Sequence, residues 1–134
     1  MNNMDFIIDC LAIGDLSDAL AYPPVEAVLN LSEHDYACPL IYRYCYFPDF
    51  EYLHDLAVIG ECTAFIRAQI VQRRRILVHC FAGMSRSATI CTAYLYECGM
   101  SFEEALTFIQ AKHPVASPHP ALWRALHDWS QRKL

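Results

Sequence analysis

RILVHCFAGMSRSA, residues Arg75 to Ala88, is the stretch on which the fold of this chain turns. Its first part, Ile76 to Val78, is a short apolar run that suits a buried strand, and Ser87 opens a longer apolar pattern that suits a helix. The loop between them carries Cys80 and Arg86 with five residues in between, Gly83 near the middle and hydroxyls at Ser85 and Ser87. A strand, a tight turn and a helix N-terminus gather backbone N–H groups around one point, and that point attracts an anion of phosphate size. The loop therefore reads as a cradle walled by Phe81, Ala82, Gly83, Met84, Ser85 and Arg86.

The side chains supply the chemistry. Arg86 offers a planar fork of donors that grips two phosphate oxygens at once, which a lysine does less well. Cys80 sits at the floor of the cradle, where a helix N-terminus and an arginine favour thiolate over thiol. A thiolate in line with a phosphoryl group is a nucleophile for covalent catalysis. Ser87 is placed to hydrogen-bond the sulfur and ease its departure in a second step. His79 reads as an orienting donor rather than a base, because the surroundings already activate the cysteine.

His79, Cys80, Gly83, Arg86 and Ser87 match the HCxxGxxRS signature of the cysteine-dependent protein tyrosine phosphatases. With Ser85-Arg86-Ser87 at its end, the motif most closely resembles that of the small dual-specificity phosphatases. The resemblance implies hydrolysis of phosphotyrosine, with phosphoserine and phosphothreonine left open, through a phosphocysteine and without a cofactor.

Such chemistry needs a carboxylic acid on a separate loop, first to protonate the leaving oxygen and then to activate water. Phe47-Pro48-Asp49-Phe50 follows a strand-like segment, and Asp49 lies 31 positions before Cys80. The string resembles the WPD loop of the larger tyrosine phosphatases, so Asp49 is the expected acid. Asp55 is the reserve, although the first turn of a helix is where an acid is favoured anyway.

A chain of 134 residues reads as one catalytic domain, 1–134, large enough to bury a core. Apolar residues make up 55% of it, yet charges break every run well before the ~18 residues a membrane span needs. MNNMDFIIDC carries acids where a signal peptide has bases. A net charge of −5 argues against nucleic acid or an acidic membrane surface as a partner. Seven cysteines without a CxxC pair suit a reducing, cytoplasmic setting in which most of them fill the core. The histidines at positions 34, 54, 113, 119 and 127 lack metal-ligand spacing and read as surface or capping residues, so no metal is expected. The expected partner is a phosphorylated protein bound by a monomer.

The remaining elements complete an α/β architecture. Phe6 to Ile13 reads as one or two strands broken near Asp9; Asp15 or Ser17 caps a short helix through Ala21; Val25 to Leu31 and Ile41 to Phe47 read as strands. A helix from about Leu53 to Gln72, with Glu61, Arg67 and Gln69 facing water, crosses over into the strand before the cradle and makes it parallel to its neighbour. The bases Arg73 to Arg75 read as its solvated C-terminus. After the cradle come a buried helix from Ser87 to Cys98, a helix from Phe102 to Lys112 opened by the capping box Ser101/Glu104, a linker, and a last helix from Ala121 to Arg132. In the family an asparagine often follows the proline before that helix; here His119 follows Pro118. The expectation is a mostly parallel sheet of four or five strands flanked by helices, with the site at the C-terminal end of the strand ending at His79.

Two rivals remain. One is a phosphatase for a phosphoinositide or an RNA 5′ end, disfavoured because Phe81, Ala82 and Met84 stand where such relatives carry bases. The other is a non-catalytic phosphate-binding scaffold, disfavoured because Cys80, Arg86 and Asp49 are all present.

Overall fold

Strand residues of this protein alternate between two apolar faces, and that alternation organises the computed structural model, which describes residues 4–132. β1 (Asp5–Ile8) and β2 (Leu11–Gly14) form an antiparallel hairpin with an irregular register after Phe6. β3 (Ala27–Asn30), β4 (Ile41–Tyr44) and β5 (Ile76–His79) run parallel to β2, giving the order β1-β2-β5-β3-β4. The sheet is thus five-stranded and mostly parallel, and the segment broken near Asp9 is the hairpin.

On one face Leu11, Ile13, Ala27, Leu29, Ile76 and Val78 join the main core; on the other Ala12, Val28 and Leu77 join a smaller one. A strand of period two can bury both sides only if both sides are covered. The cover is lopsided. α2 (Ala57–Val71), α3 (Arg86–Glu97), α4 (Phe102–Lys112) and α5 (Pro120–Arg132) pack on the main face, while α1 (Leu16–Leu20) and the aromatic segment around Tyr36 and Tyr42 close the other. α3 is buried at every position from Arg86 to Leu95, so the helix that follows the loop is clamped rather than laid on the surface.

Some boundaries differ from the sequence reading. α2 begins at Ala57, not Leu53; Leu53 and Leu56 enter the core as irregular chain ahead of it, packed there rather than on the helix. Asp55 therefore precedes the helix and is exposed. Gln69, expected to face water, is buried, its side-chain oxygen accepting from Arg74 Nη1 at 3.3 Å and its carbonyl from the Arg74 N–H at 3.0 Å. β4 stops at Tyr44, and the chain leaves the sheet edge before Phe47. All seven cysteines are free; Cys62, Cys80 and Cys91 lie in the main core, and the half-buried Cys45 and Cys38 pack against the two cores.

The parallel register has one consequence that matters for the site. Gly14, His79, Asn30 and Tyr44 stand in one row across β2, β5, β3 and β4. Every chain segment leaving that row emerges at the same edge. Asn30, fully buried, organises one of these exits: its Oδ1 accepts from the Ser32 N–H (2.9 Å) and hydroxyl (2.7 Å), and its Nδ2 donates to the His34 carbonyl (2.7 Å) and the Tyr42 hydroxyl (2.9 Å).

Ile90 lies fully buried on α3 in the main core. Ile90→Ala should cost about 2–5 kcal/mol of stability, seen as a lower urea midpoint with an unchanged slope.

Candidate active site

The loop from Cys80 to Ser85 is turned inside out. Four of its six carbonyls are taken from outside: Cys80 O by His79 Nδ1 (3.1 Å), Phe81 O by the Leu16 N–H (3.1 Å), Gly83 O by His113 Nε2 (2.8 Å) and Met84 O by the Ser117 N–H (2.7 Å). No peptide bond is cis among the described residues, so each carbonyl fixed outward sends the next N–H the opposite way. Those are the amides of Phe81, Ala82, Met84 and Ser85, residues that line a cleft of about 340 Å³. Among the described residues none of these amides donates a hydrogen bond. Gly83 makes the turn at φ +69°, and a Cβ there would sit 2.8 Å from the Gly14 carbonyl oxygen at the end of β2. Gly83 itself is not part of the cleft wall; it packs against β2 from behind.

Cys80 and Arg86 both line this cleft and are both almost wholly buried. Cys80 Sγ lies 3.3 Å from Ser87 Oγ. The Arg86 guanidinium is held by the chain exits described above: Nη1 donates to the carbonyls of Phe47 (3.2 Å) and Leu31 (3.4 Å), and Nη2 to Glu33 Oε1 at 3.1 Å. Its Nε is buried with no partner. A buried donor of a charged group left unsatisfied costs about 1–3 kcal/mol or more, so this atom marks where an anion's oxygen belongs. The Glu33 carboxyl is held below its ordinary range by its own backbone N–H and by Arg86.

Asp49 sits at the rim of the same cleft and accepts from Ser85 Oγ at 2.7 Å. That hydroxyl also accepts from the His119 N–H at 2.9 Å, so one serine ties the acid loop to the chain just before α5. Phe50, at φ 64°, meets the His119 ring edge-on at 5.6 Å. A second hollow beside the first shares Asp49, Phe50, Phe81 and Arg86 and adds His34 and Tyr46. Asp55 lines neither hollow.

His79 is fully buried at the end of β5. Because a carbonyl only accepts, Nδ1 must carry the proton toward Cys80 O, and Nε2 then accepts from the Tyr36 hydroxyl at 2.9 Å. Burial pushes the His79 pKa down to about 4 and raises that of Tyr36. The ring is neutral and fixed in one tautomer, which suits an orienting role.

The structure thus gathers Cys80, Arg86, Asp49 and the loop residues Phe81, Ala82, Met84 and Ser85 around one cleft, with Gly83 and the fully buried Ser87 and His79 behind it. Sequence reasoning missed Glu33, which stands three residues past the end of β3, the strand next to β5, a signal that was there to be used. It also missed His113, whose ring is buried against the loop rather than merely ending a helix. No local pattern marks that contact. Among the described residues no cluster of three or more His, Cys, Asp or Glu is arranged to hold a metal ion.

An α/β sheet carrying a cysteine–arginine anion loop at the mouth of its parallel strands defines a class of protein, and the comparisons name the family. The model of the dual specificity phosphatase catalytic domain matches residues 20–132, and the chain belongs to that family. Dual specificity protein phosphatase 1 of Arabidopsis thaliana is 46% identical over 69 residues, covering 51% of this chain and 35% of the plant protein. Dual specificity protein phosphatase 15 of Mus musculus is 40% identical over 70 residues, covering 52% of this chain and 30% of the mouse protein. These matches span about a third of the length of those relatives. In fold, the chain is similar to the crystal structure of a mouse putative dual specificity phosphatase, with a TM-score of 0.88 at 24% identity over 98% of this chain and 89% of that one.

Because His79 has its pKa depressed from 6.5 to about 4 by folding, the unfolded chain binds the proton more readily between those values. Stability should be fully present above pH 6.5 and fall by about 2–4 kcal/mol toward pH 4, as urea midpoints at pH 7, 6 and 5 would show. His79→Gln should flatten that slope.

Proposed function

We propose that this chain hydrolyses phosphomonoesters on protein, phosphotyrosine first among them, through a phosphocysteine intermediate. The observation that carries the reading is the unpartnered, buried Nε of Arg86, a residue that lines the cleft together with Cys80. The guanidinium and the inward amides hold the three non-bridging oxygens of the phosphate and stabilise the charge that builds on them in the transition state. The Cys80 thiolate attacks phosphorus, the bond to the substrate oxygen breaks, and Asp49 as a carboxylic acid gives that oxygen its proton. Water then attacks phosphorus, its proton passes to the Asp49 carboxylate, and the P–S bond breaks. The Ser87 hydroxyl, 3.3 Å from the sulfur, donates to the returning thiolate.

The substrate class follows from the rim. Among the described residues Arg86 is the only arginine or lysine lining either hollow, and its neighbours there are Phe50, Phe81, Tyr46 and Met84, with Glu33 beside it. A single phosphate on a protein with neutral or apolar flanks fits such a rim; a polyphosphorylated inositol or an RNA end does not. Among the described residues no helix is long and apolar enough to cross a membrane. The free cysteines support a cytoplasmic setting, and we propose that the chain acts as a monomeric, single catalytic domain that needs no cofactor.

Cys80→Ser should abolish turnover of p-nitrophenyl phosphate while the variant still binds a phosphopeptide; retained turnover would overturn the assignment of the nucleophile. Asp49→Ala should lower kcat by roughly 10² to 10⁴ on phosphotyrosine, and by less on p-nitrophenyl phosphate, whose leaving group needs no proton. If Asp55→Ala had that effect and Asp49→Ala did not, the acid would be misassigned. Offered side by side, phosphotyrosyl peptides should be hydrolysed with at least about tenfold higher kcat/KM than phosphoinositides, since among the described residues neither hollow holds a second arginine or lysine for another phosphate. A preference for the lipid would sink the substrate class, and an inactive wild type would point to a scaffold.

A further inference from the structure

His113 ends α4 as its C-cap, and its ring is buried between β1 and the loop. Its backbone is fixed on both sides, the N–H on the Ile109 carbonyl at 2.8 Å and the carbonyl under the Ala116 N–H at 3.0 Å. The ring spans two acceptors. Nδ1 lies 2.6 Å from Asp5 Oδ2, and Nε2 lies 2.8 Å from the Gly83 carbonyl oxygen. A carboxylate and a carbonyl offer no proton, so both ring nitrogens must donate for both bonds to exist, and only the imidazolium form can do that.

We infer that His113, as an imidazolium strapped to Asp5, is a positioning residue that holds the Gly83–Met84 peptide with its N–H toward the bound phosphate. The inference rests on the loop being the phosphate site proposed above. It gains force from how the other carbonyls are held. Phe81 O and Met84 O are locked by the backbone N–H groups of Leu16 and Ser117, which no substitution short of proline removes. Gly83 O alone among these three depends on a distant side chain, and glycine is the residue most free to let its peptide rotate. The left-handed φ of +69° at Gly83 is the place where the loop would flip if released. Charge on the donor strengthens the bond that prevents it.

Three variants and one spectrum test this. His113→Gln keeps a donor for Gly83 but turns its amide oxygen on the Asp5 carboxylate; adding Asp5→Asn gives that oxygen a donor in place of a negative charge. The single variant should weaken inhibition by vanadate and lower kcat/KM on p-nitrophenyl phosphate by about tenfold or more, and the double variant should recover to within about threefold of wild type. A residue that only packs would show no such recovery. In the vanadate-bound wild type, ¹⁵N resonances of the His113 ring should be those of a cation with both nitrogens protonated. A folded His113→Gln with unchanged vanadate inhibition, or a neutral ring in that spectrum, overturns the inference. Should His113→Gln fail to fold, Asp5→Asn alone answers the question: weaker vanadate binding supports the strap, and unchanged binding refutes it. Failure of the wild type to bind vanadate at all would instead overturn the phosphate-site reading, which separates the two.

Discussion

A backbone that gathers its amides around an anion must send its carbonyls outward, into packed protein, and every one of those carbonyls then needs a donor. That constraint reaches through most of this structure. The loop's carbonyls take their donors from the first residue of α1, from the last strand residue of β5, from the C-cap of α4 and from the segment that leads into α5. Elements far apart in the chain are therefore tied to six residues. Since a buried carbonyl without a partner costs about 1–3 kcal/mol, the loop cannot relax to an ordinary turn without losing those bonds.

Arginine burial is the second constraint and follows from the sheet. A guanidinium stays inside only if its donors are met, and the aligned ends of β3 and β4 bring two backbone carbonyls and Glu33 to Arg86. The pairing leaves the Nε–H without a partner. A chain with net charge −5 thus keeps a local site for an anion, through a held cation and oriented amides rather than through overall charge. Glu33 competes with phosphate for the cation only partly, because its side chain is half exposed and screened by water.

Asp49 is placed by a different device. It belongs to an irregular segment that has left the sheet edge, so no ladder fixes it, and its position comes from the Ser85 hydroxyl and from the Phe50 ring against His119. These are few and partly exposed contacts, which suits the proton-transfer role proposed for Asp49. The neutral His79, by contrast, is sealed between Tyr36 and the Cys80 carbonyl and has no freedom to titrate near neutrality.

What the amino-acid order alone determined is the part set by neighbours in the chain: the strand into the loop, the glycine turn, the buried α3, the capping box of α4, and the residue types that make Cys80, Arg86, Ser87 and Asp49 a legible set. Each of these is read from periodicity or spacing within about one element. The tertiary structure decided the partners. Arg86 meets Glu33 across 53 residues, and His113 meets Gly83 across 30 and Asp5 across 108. Local pattern carries no record of such meetings, because they depend on the parallel register that lines up the strand ends and on the packing of α4 against the hairpin. The exposed Asp55 and the buried Gln69 were misread for the same reason: where a helix starts and which side it hides are settled by what it packs against.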